Sequence, residues 1–284
     1  MRSSPDSISR AIVIKPKSGW QLIDWKELVE YRDLFYFLIK RDVVAIYKQT
    51  VMGFTWAIIR PVFSMIVFSV VFGGLAKIPS DGVPYPIFSY SALIPWIYFS
   101  SAMNASTQSL ISGKAIFTKV YFPRLIIPLT PVLSQLVDFG IAFVILIGLM
   151  VWYGISATVN MLFLPVLIVL MMLTASGIGM WLSAMAIQYR DIPQGITFLS
   201  QLLMYAAPVV WPFSLIQERF GETVMYLYAI YPMAGVIEGF RSAVLGHNQM
   251  PWELIGIGTI SATLIFISGA FYFKKKERIF VDVA

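Results

Sequence analysis

The 284-residue chain has no cysteine and a single histidine, His247. The first absence excludes disulfides and thiolate-held metals, and the second excludes multi-histidine metal centres. Charge is scarce: Asp, Glu, Lys and Arg supply 13% of residues, roughly half the share of an average soluble domain. The acidic side chains are dispersed, and Asp138 is the one carboxylate deep inside an apolar run. No nucleophile–base pair or paired carboxylates emerge, so neither an enzyme nor a metal site is expected. A complete phosphate loop is missing too. Ser112-Gly113-Lys114-Ala115 looks like the end of one, but Gln108 stands where a glycine is required and Ala115 where Ser or Thr is required. The expectation is that this chain binds no cofactor and that any ATP is held by a partner.

What the sequence does contain is apolar length. Hydrophobic residues make up 58% of it, and the mean hydropathy is +0.76. The expected fold class is an all-α integral membrane protein. The net charge of +6 does not call for nucleic acid, because the basic residues flank the apolar runs as orientation signals do. Six spans are expected, at about 54–76, 87–108, 126–152, 161–187, 194–211 and 254–273. The first apolar run begins only near Phe54 and is long enough to cross, so no cleavable signal peptide is expected. With both termini cytoplasmic, seventeen of the 21 Lys and Arg fall inside, and only Lys77, Arg219 and Arg241 fall outside. Arg60 lies within the first span.

Residues 1–53 divide into a polar tail and, over 24–49, an amphipathic helix expected to lie on the inner membrane surface, aromatic side down. Residues 54–284 form the membrane domain. Within it, 109–124 is too polar to span; its apolar residues recur at helical spacing, which predicts a short cytoplasmic helix that a motor could push. Residues 212–251 hold two apolar runs, 224–230 and 233–245, each below the roughly 20 residues a span needs. Re-entrant or outer-surface helices are expected there.

Several residues stand out, each with two readings. Asp138 is a proton-relay candidate or a structural hydrogen-bonded carboxylate. Ala175, Gly179 and Ser183 recur every fourth residue as a strip for close helix contact. Phe54, Phe68 and Phe72 in the first span, with Phe198, Tyr205 and Trp211 in the fifth, either line a glycan conduit or face lipid and core. Arg60 either snorkels to headgroups or grips a lipid diphosphate bidentately, helped by Lys119 or Arg124.

Taken in order, a set of short motifs resembles a known family. Tyr31-Arg32-Asp33-Leu34, Lys40-Arg41-Asp42 and Tyr47-Lys48 open it, and Gly53, Trp56 and Arg60-Pro61 follow. Tyr90, Ala92-Leu93-Ile94-Pro95-Trp96 and Phe99 continue it, then Lys119-Val120-Tyr121-Phe122-Pro123-Arg124, Tyr189-Arg190-Asp191 and the ending 273–283. The set resembles the permease subunit of type-2 ABC exporters, in the polysaccharide or O-antigen export branch. That resemblance implies a homodimer in the bacterial cytoplasmic membrane with two copies of a separate ABC ATPase, which binds ATP and magnesium. It implies a coupling helix at 109–124, where Lys114, Phe117, Lys119, Tyr121, Phe122 and Arg124 meet the ATPase, and outer gate helices at 212–251. The implied substrate is a polysaccharide on undecaprenyl diphosphate. Export of another glycan, a lipid or a drug is the nearest alternative. An ion-driven carrier would want paired intramembrane charges, and a membrane enzyme would want clustered acids rather than the scattered Glu218, Glu222 and Glu238.

Overall fold

The computed structural model describes residues 25–48, 52–117, 121–246, 249–277 and 280, and every regular element among them is helical. The polar tail through residue 24 lies outside these residues. The amphipathic stretch forms α1 (Trp25–Glu30) and α2 (Arg32–Lys48). Backbone bonds from Tyr31 to Glu27 and from Phe35 to Tyr31 carry the helical path across the junction. Leu38 is the buried residue of α2, while Tyr36 and Phe37 are exposed.

The first apolar run becomes α3 (Thr55–Phe68), which widens into a π-helical turn over Ser69–Leu75. The second becomes α4 (Tyr85–Phe117), and here the expectation needs correction. No separate short helix starts at 109. Residues 109–117 simply extend α4, a single helix of 33 residues that is about 50 Å long at the standard rise. The rise in polarity after Gln108 changes what the helix faces, while Pro and paired Gly, which would break it, are absent from 109–117.

The third run divides into α5 (Ile126–Ser134) and α6 (Leu136–Tyr153) at Gln135. Pro131 offers no N–H to the Ile127 carbonyl and crowds it, which loosens the ladder there. A 3-10 turn (Val159–Phe163) leads into α7 (Leu164–Ala186). Then come α8 (Ile192–Ala206), α9 (Phe213–Ala229), α10 (Pro232–Leu245) and α11 (Trp252–Lys276). Gly221, at φ +76°, breaks α9 into two pieces. The run 233–245 is no surface helix: every residue of α10 is buried.

Among the described residues, four helical stretches are long and apolar enough to cross a membrane: Thr55–Leu75, Ile126–Tyr153, Val159–Ala186 and Trp252–Lys276. Of the six expected spans, the second and fifth are not among them. The second, α4, has the length but carries Ser100, Ser101, Asn104, Ser106, Thr107, Gln108 and Ser109. The fifth, α8, has 15 residues, about 22 Å of helix against a hydrocarbon core of about 30 Å.

The main core surrounds α4, whose Ile87, Phe88, Tyr90, Phe99 and Met103 are fully enclosed by α6, α7 and α10. The small-residue strip on α7 lies in this core: Ala175, Gly179 and Ser183 are all buried. A Cβ on Gly179 would stand 2.3 Å from the Ser106 hydroxyl oxygen of α4, so only glycine permits that approach. Ser106 in turn donates to the Pro128 carbonyl at 2.7 Å, and Tyr98 donates to the Val132 carbonyl at 2.7 Å. Ser106 and Tyr98 thus spend their hydroxyls on α5, while Ser91, Thr107 and Ser109 donate back to carbonyls of α4 itself, which lowers the cost of enclosing so polar a helix.

Candidate functional site

A second, smaller core joins the first described helices to the last. Leu38 of α2, Leu110 of α4, Phe122, Leu125, Ile126 and Ile127 meet Met180 and Ala184 of α7 and Ala270, Phe273 and Phe280 at the C-terminal end. Phe273 and Phe280 meet edge to face, 5.2 Å between centroids. Polar ties reinforce it: Arg124 Nη1 donates to the Glu277 carbonyl at 2.6 Å, and Lys276 Nζ reaches Gln188 Oε1 at 3.5 Å. Five distant parts of the chain are thus knitted into one platform.

The residues expected to couple to an ATPase divide sharply here. Tyr121 is 79% exposed, with its hydroxyl 3.4 Å from Glu27 Oε1, and Lys114 is exposed. Phe122 is 4% exposed and sits inside the platform, so it anchors the segment and offers a partner nothing. Arg124 is half-buried against the C-terminal helix. Phe117 ends α4, and Lys119 lies outside the described residues.

Beside the platform, α2, α4 and α5 enclose a cleft of about 680 Å³. The α4 wall presents Ser101, Asn104, Gln108, Ser109 and Ser112, and the opposite wall Thr130, Ser134 and Gln135. Arg41 and Asp42 of α2 are its charged lining residues, and they are tied to each other: Arg41 Nε and Nη2 donate to Asp42 Oδ1 at 2.9 and 2.7 Å. The polar stripe on α4, spaced three and four residues apart, was legible in the sequence and was passed over.

The remaining candidates are placed as follows. Arg60 is exposed on α3, its guanidinium 5.7 Å from the Trp56 ring centroid, with no other partner among the described residues. The Tyr47 hydroxyl of α2 donates to Asp138 Oδ1, which gives this half-buried carboxylate a structural partner. Burial, with that carboxylate beside it, pushes the Tyr47 phenol above its usual range. Phe68 and Phe72 meet edge to face at 5.2 Å, Phe54 contacts Tyr47 at 5.7 Å, and Phe54, Phe198 and Tyr205 are exposed. No ring contact among the described residues joins the α3 aromatics to Phe198, Tyr205 or Trp211.

At the far end, the structure reveals a pair that the sequence reading missed. Arg241, expected as an outer charge, and Glu238, dismissed as scattered, form a buried bridge at 2.9 Å, 3% and 6% exposed. Arg241 Nη2 also donates to the Pro208 carbonyl at 2.8 Å, and its guanidinium lies 3.8 Å from the Phe88 ring centroid. The three-residue spacing on a helix was the available signal.

Comparison with known proteins adds what geometry alone does not. The model of the family described as "ABC-2 type transporter" matches residues 33–245. The O-antigen export system permease protein RfbA of Myxococcus xanthus is 25% identical over 255 residues, covering 89% of this chain and 96% of that protein. A protein of the same name from Klebsiella pneumoniae is 24% identical over 252 residues, 88% and 95% of the two chains. The polysialic acid transport protein KpsM of Escherichia coli is 22% identical over 246 residues, 84% and 92%.

Proposed function

The chain belongs to the ABC-2 type transporter family, and from that premise we propose that it is the membrane subunit of an ATP-driven exporter of lipid-linked polysaccharide. The carrying observation is the near end-to-end match to proteins named as an O-antigen export permease and as a polysialic acid transport protein. Membership makes it a multi-pass transport subunit that works with an ABC ATPase, which supplies the ATP and magnesium chemistry. The finer reading is a homodimer with two ATPase copies in the bacterial inner membrane. It has six spans, α4 and α8 being the polar and the short member, and both termini cytoplasmic. The substrate class is a glycan on undecaprenyl diphosphate, O-antigen-like.

In this reading the terminal platform faces the ATPase. Tyr121 and Lys114, with Phe117 and Lys119, form the contact, and Phe122 and Arg124 hold the segment in place. Closure of the ATPase pair displaces the platform, and α4 carries that displacement along its length toward α10, the outer gate. ATP binding energy thereby biases one of two packings. The aromatic faces of α3 and α8 meet their counterparts in the second subunit and line a conduit that holds sugar rings weakly at many points. Arg60 engages the lipid diphosphate.

Deletion of the gene, followed by compartment-resolved detection of lipid-linked glycan, tests this. Accumulation on the cytoplasmic side is expected. Absence of the glycan altogether would point to an enzyme of its synthesis, and unaltered surface glycan would sink the substrate assignment.

A further inference from the structure

We propose that the cleft between α2, α4 and α5 is a binding site for an uncharged polyhydroxylated group, the membrane-proximal sugar of the lipid-linked substrate. The identification of that sugar's source rests on the export reading above. The site itself rests on the hydrogen-bonding inventory of its walls.

Four wall hydroxyls have already committed their protons. Ser109 donates to the Ser106 carbonyl at 2.6 Å, Ser112 to the Gln108 carbonyl at 3.0 Å, Thr130 to Ile126 at 2.8 Å and Ser134 to Pro131 at 3.1 Å. Each therefore offers the cleft only oxygen lone pairs. Asn104 is held in place rather than exposed to the cleft: its Nδ2 donates to the Ser100 carbonyl and to Ser200 Oγ, at 2.7 and 3.2 Å, and its Oδ1 is buried. The amides of Gln108 and Gln135 have no side-chain partner among the described residues, and they supply both donors and acceptors. Those acceptors suit a ligand with donors on its rim, and the apolar remainder of the lining, Leu38, Ile46, Ala105, Phe122 and Ile127, suits the C–H faces of a sugar ring.

Charge narrows the ligand further. Asp42 and Arg41 neutralise one another, so neither an anion nor a cation finds an unspent counter-charge here. A phosphate would desolvate without compensation, and an acyl or prenyl chain would strand the amides of Gln108 and Gln135 without water, which costs on the order of 1–3 kcal/mol per group. A sugar ring meets both conditions, with hydroxyl donors on its rim and no charge. At about 680 Å³ the cleft is within the usual range for small-molecule sites, about 300–1,000 Å³. Arg60 lies outside this lining, so the diphosphate and the sugar are read by different parts of the chain.

The absence of cysteine from the chain gives a clean test. In the complete transporter, Ser112→Cys is alkylated with a maleimide and the modification is read on this chain by mass. Undecaprenyl diphosphate bearing one N-acetylglucosamine should slow alkylation about tenfold at about ten times its Kd. Undecaprenyl diphosphate without the sugar should not. Equal slowing by the sugar-free lipid, or by vesicles of phosphatidylglycerol with its glycerol hydroxyls, overturns the sugar assignment, and no slowing by any probe overturns the site. Gln108→Leu and Gln135→Leu, on different walls, should each abolish the slowing, and retention in both would remove the amides from the argument. The export reading is judged separately: a parent chain that exports glycan in cells but shows no protection refutes the cleft alone, whereas failure of export in the deletion test refutes the substrate reading itself.

Discussion

Arg241 shows how far a residue's role can depend on a fold that is not visible around it. Among the basic residues counted as outer charges, it proves to be enclosed, bridged to Glu238 and capped by backbone carbonyls from the α8–α9 connection. A buried pair is costly to break from one side, by about 3–5 kcal/mol, because the survivor is left uncompensated. Arg241→Met should therefore destabilise the protein severely, Glu238→Gln less so because the amide oxygen still accepts, and the double variant Glu238→Gln/Arg241→Met less than Arg241→Met alone. Thermal unfolding of the detergent-solubilised protein orders the three, and a double variant no better than Arg241→Met removes the coupling. Arg60 makes the opposite case, a cation set out on an exposed face. Arg60→Lys keeps the charge but loses the planar fork, so export should fall partly with Lys and severely with Ala, both inserted normally. Full export by Lys leaves simple headgroup attraction as the account. Asp138 was legible as exceptional, but its partner was not: Tyr47 lies 91 residues away, a distance that no local pattern spans.

At the scale of elements, the sequence marked where helices lie better than where they stop. The first, third, fourth and sixth apolar runs coincide with helical stretches to within a few residues. The boundary at 108 was misread because polarity was taken for a break, although nothing in 109–117 interrupts an α-helix. Burial of α10 was hidden for a related reason. Its 14 residues are too few to cross, and the Glu238 and Arg241 it carries suggest a surface helix until their buried bridge is seen. The platform gives a sharp prediction at this scale. Tyr121→Asp changes an exposed residue, so stability should shift by no more than about 0.5 kcal/mol while ATPase association and export are lost. Phe122→Ala should instead destabilise the chain by about 3–5 kcal/mol through the cavity it leaves. Co-purification of the ATPase, read alongside thermal unfolding, separates contact from anchor, and normal co-purification with Tyr121→Asp would take the platform out of the coupling role.

For the whole molecule, charge placement is the ground for expecting both termini on the cytoplasmic side, and labelling tests that layout. Single cysteines at Ser80 and Lys275 should label from outside and from inside respectively. Labelling of Lys275→Cys in intact cells would overturn the layout and the direction in which α4 transmits force. What the sequence could not disclose is which faces remain open. The exposed rings of Phe198 and Tyr205 on α8, like Phe54 before α3, carry the same apolar signature whether lipid or a second subunit covers them.

The platform joins Leu38 to Phe280, 242 residues later in the chain. Its assembly therefore has an order in time. During synthesis, α2 and α5 emerge long before Phe273 and Phe280, and the cluster stays incomplete until those residues follow. In the coupling reading, a chain without Phe280 presents the ATPase with an unfinished surface. A variant ending at Lys276 should insert normally but bring down little ATPase, and undiminished recruitment by it would refute this dependence on the late residues.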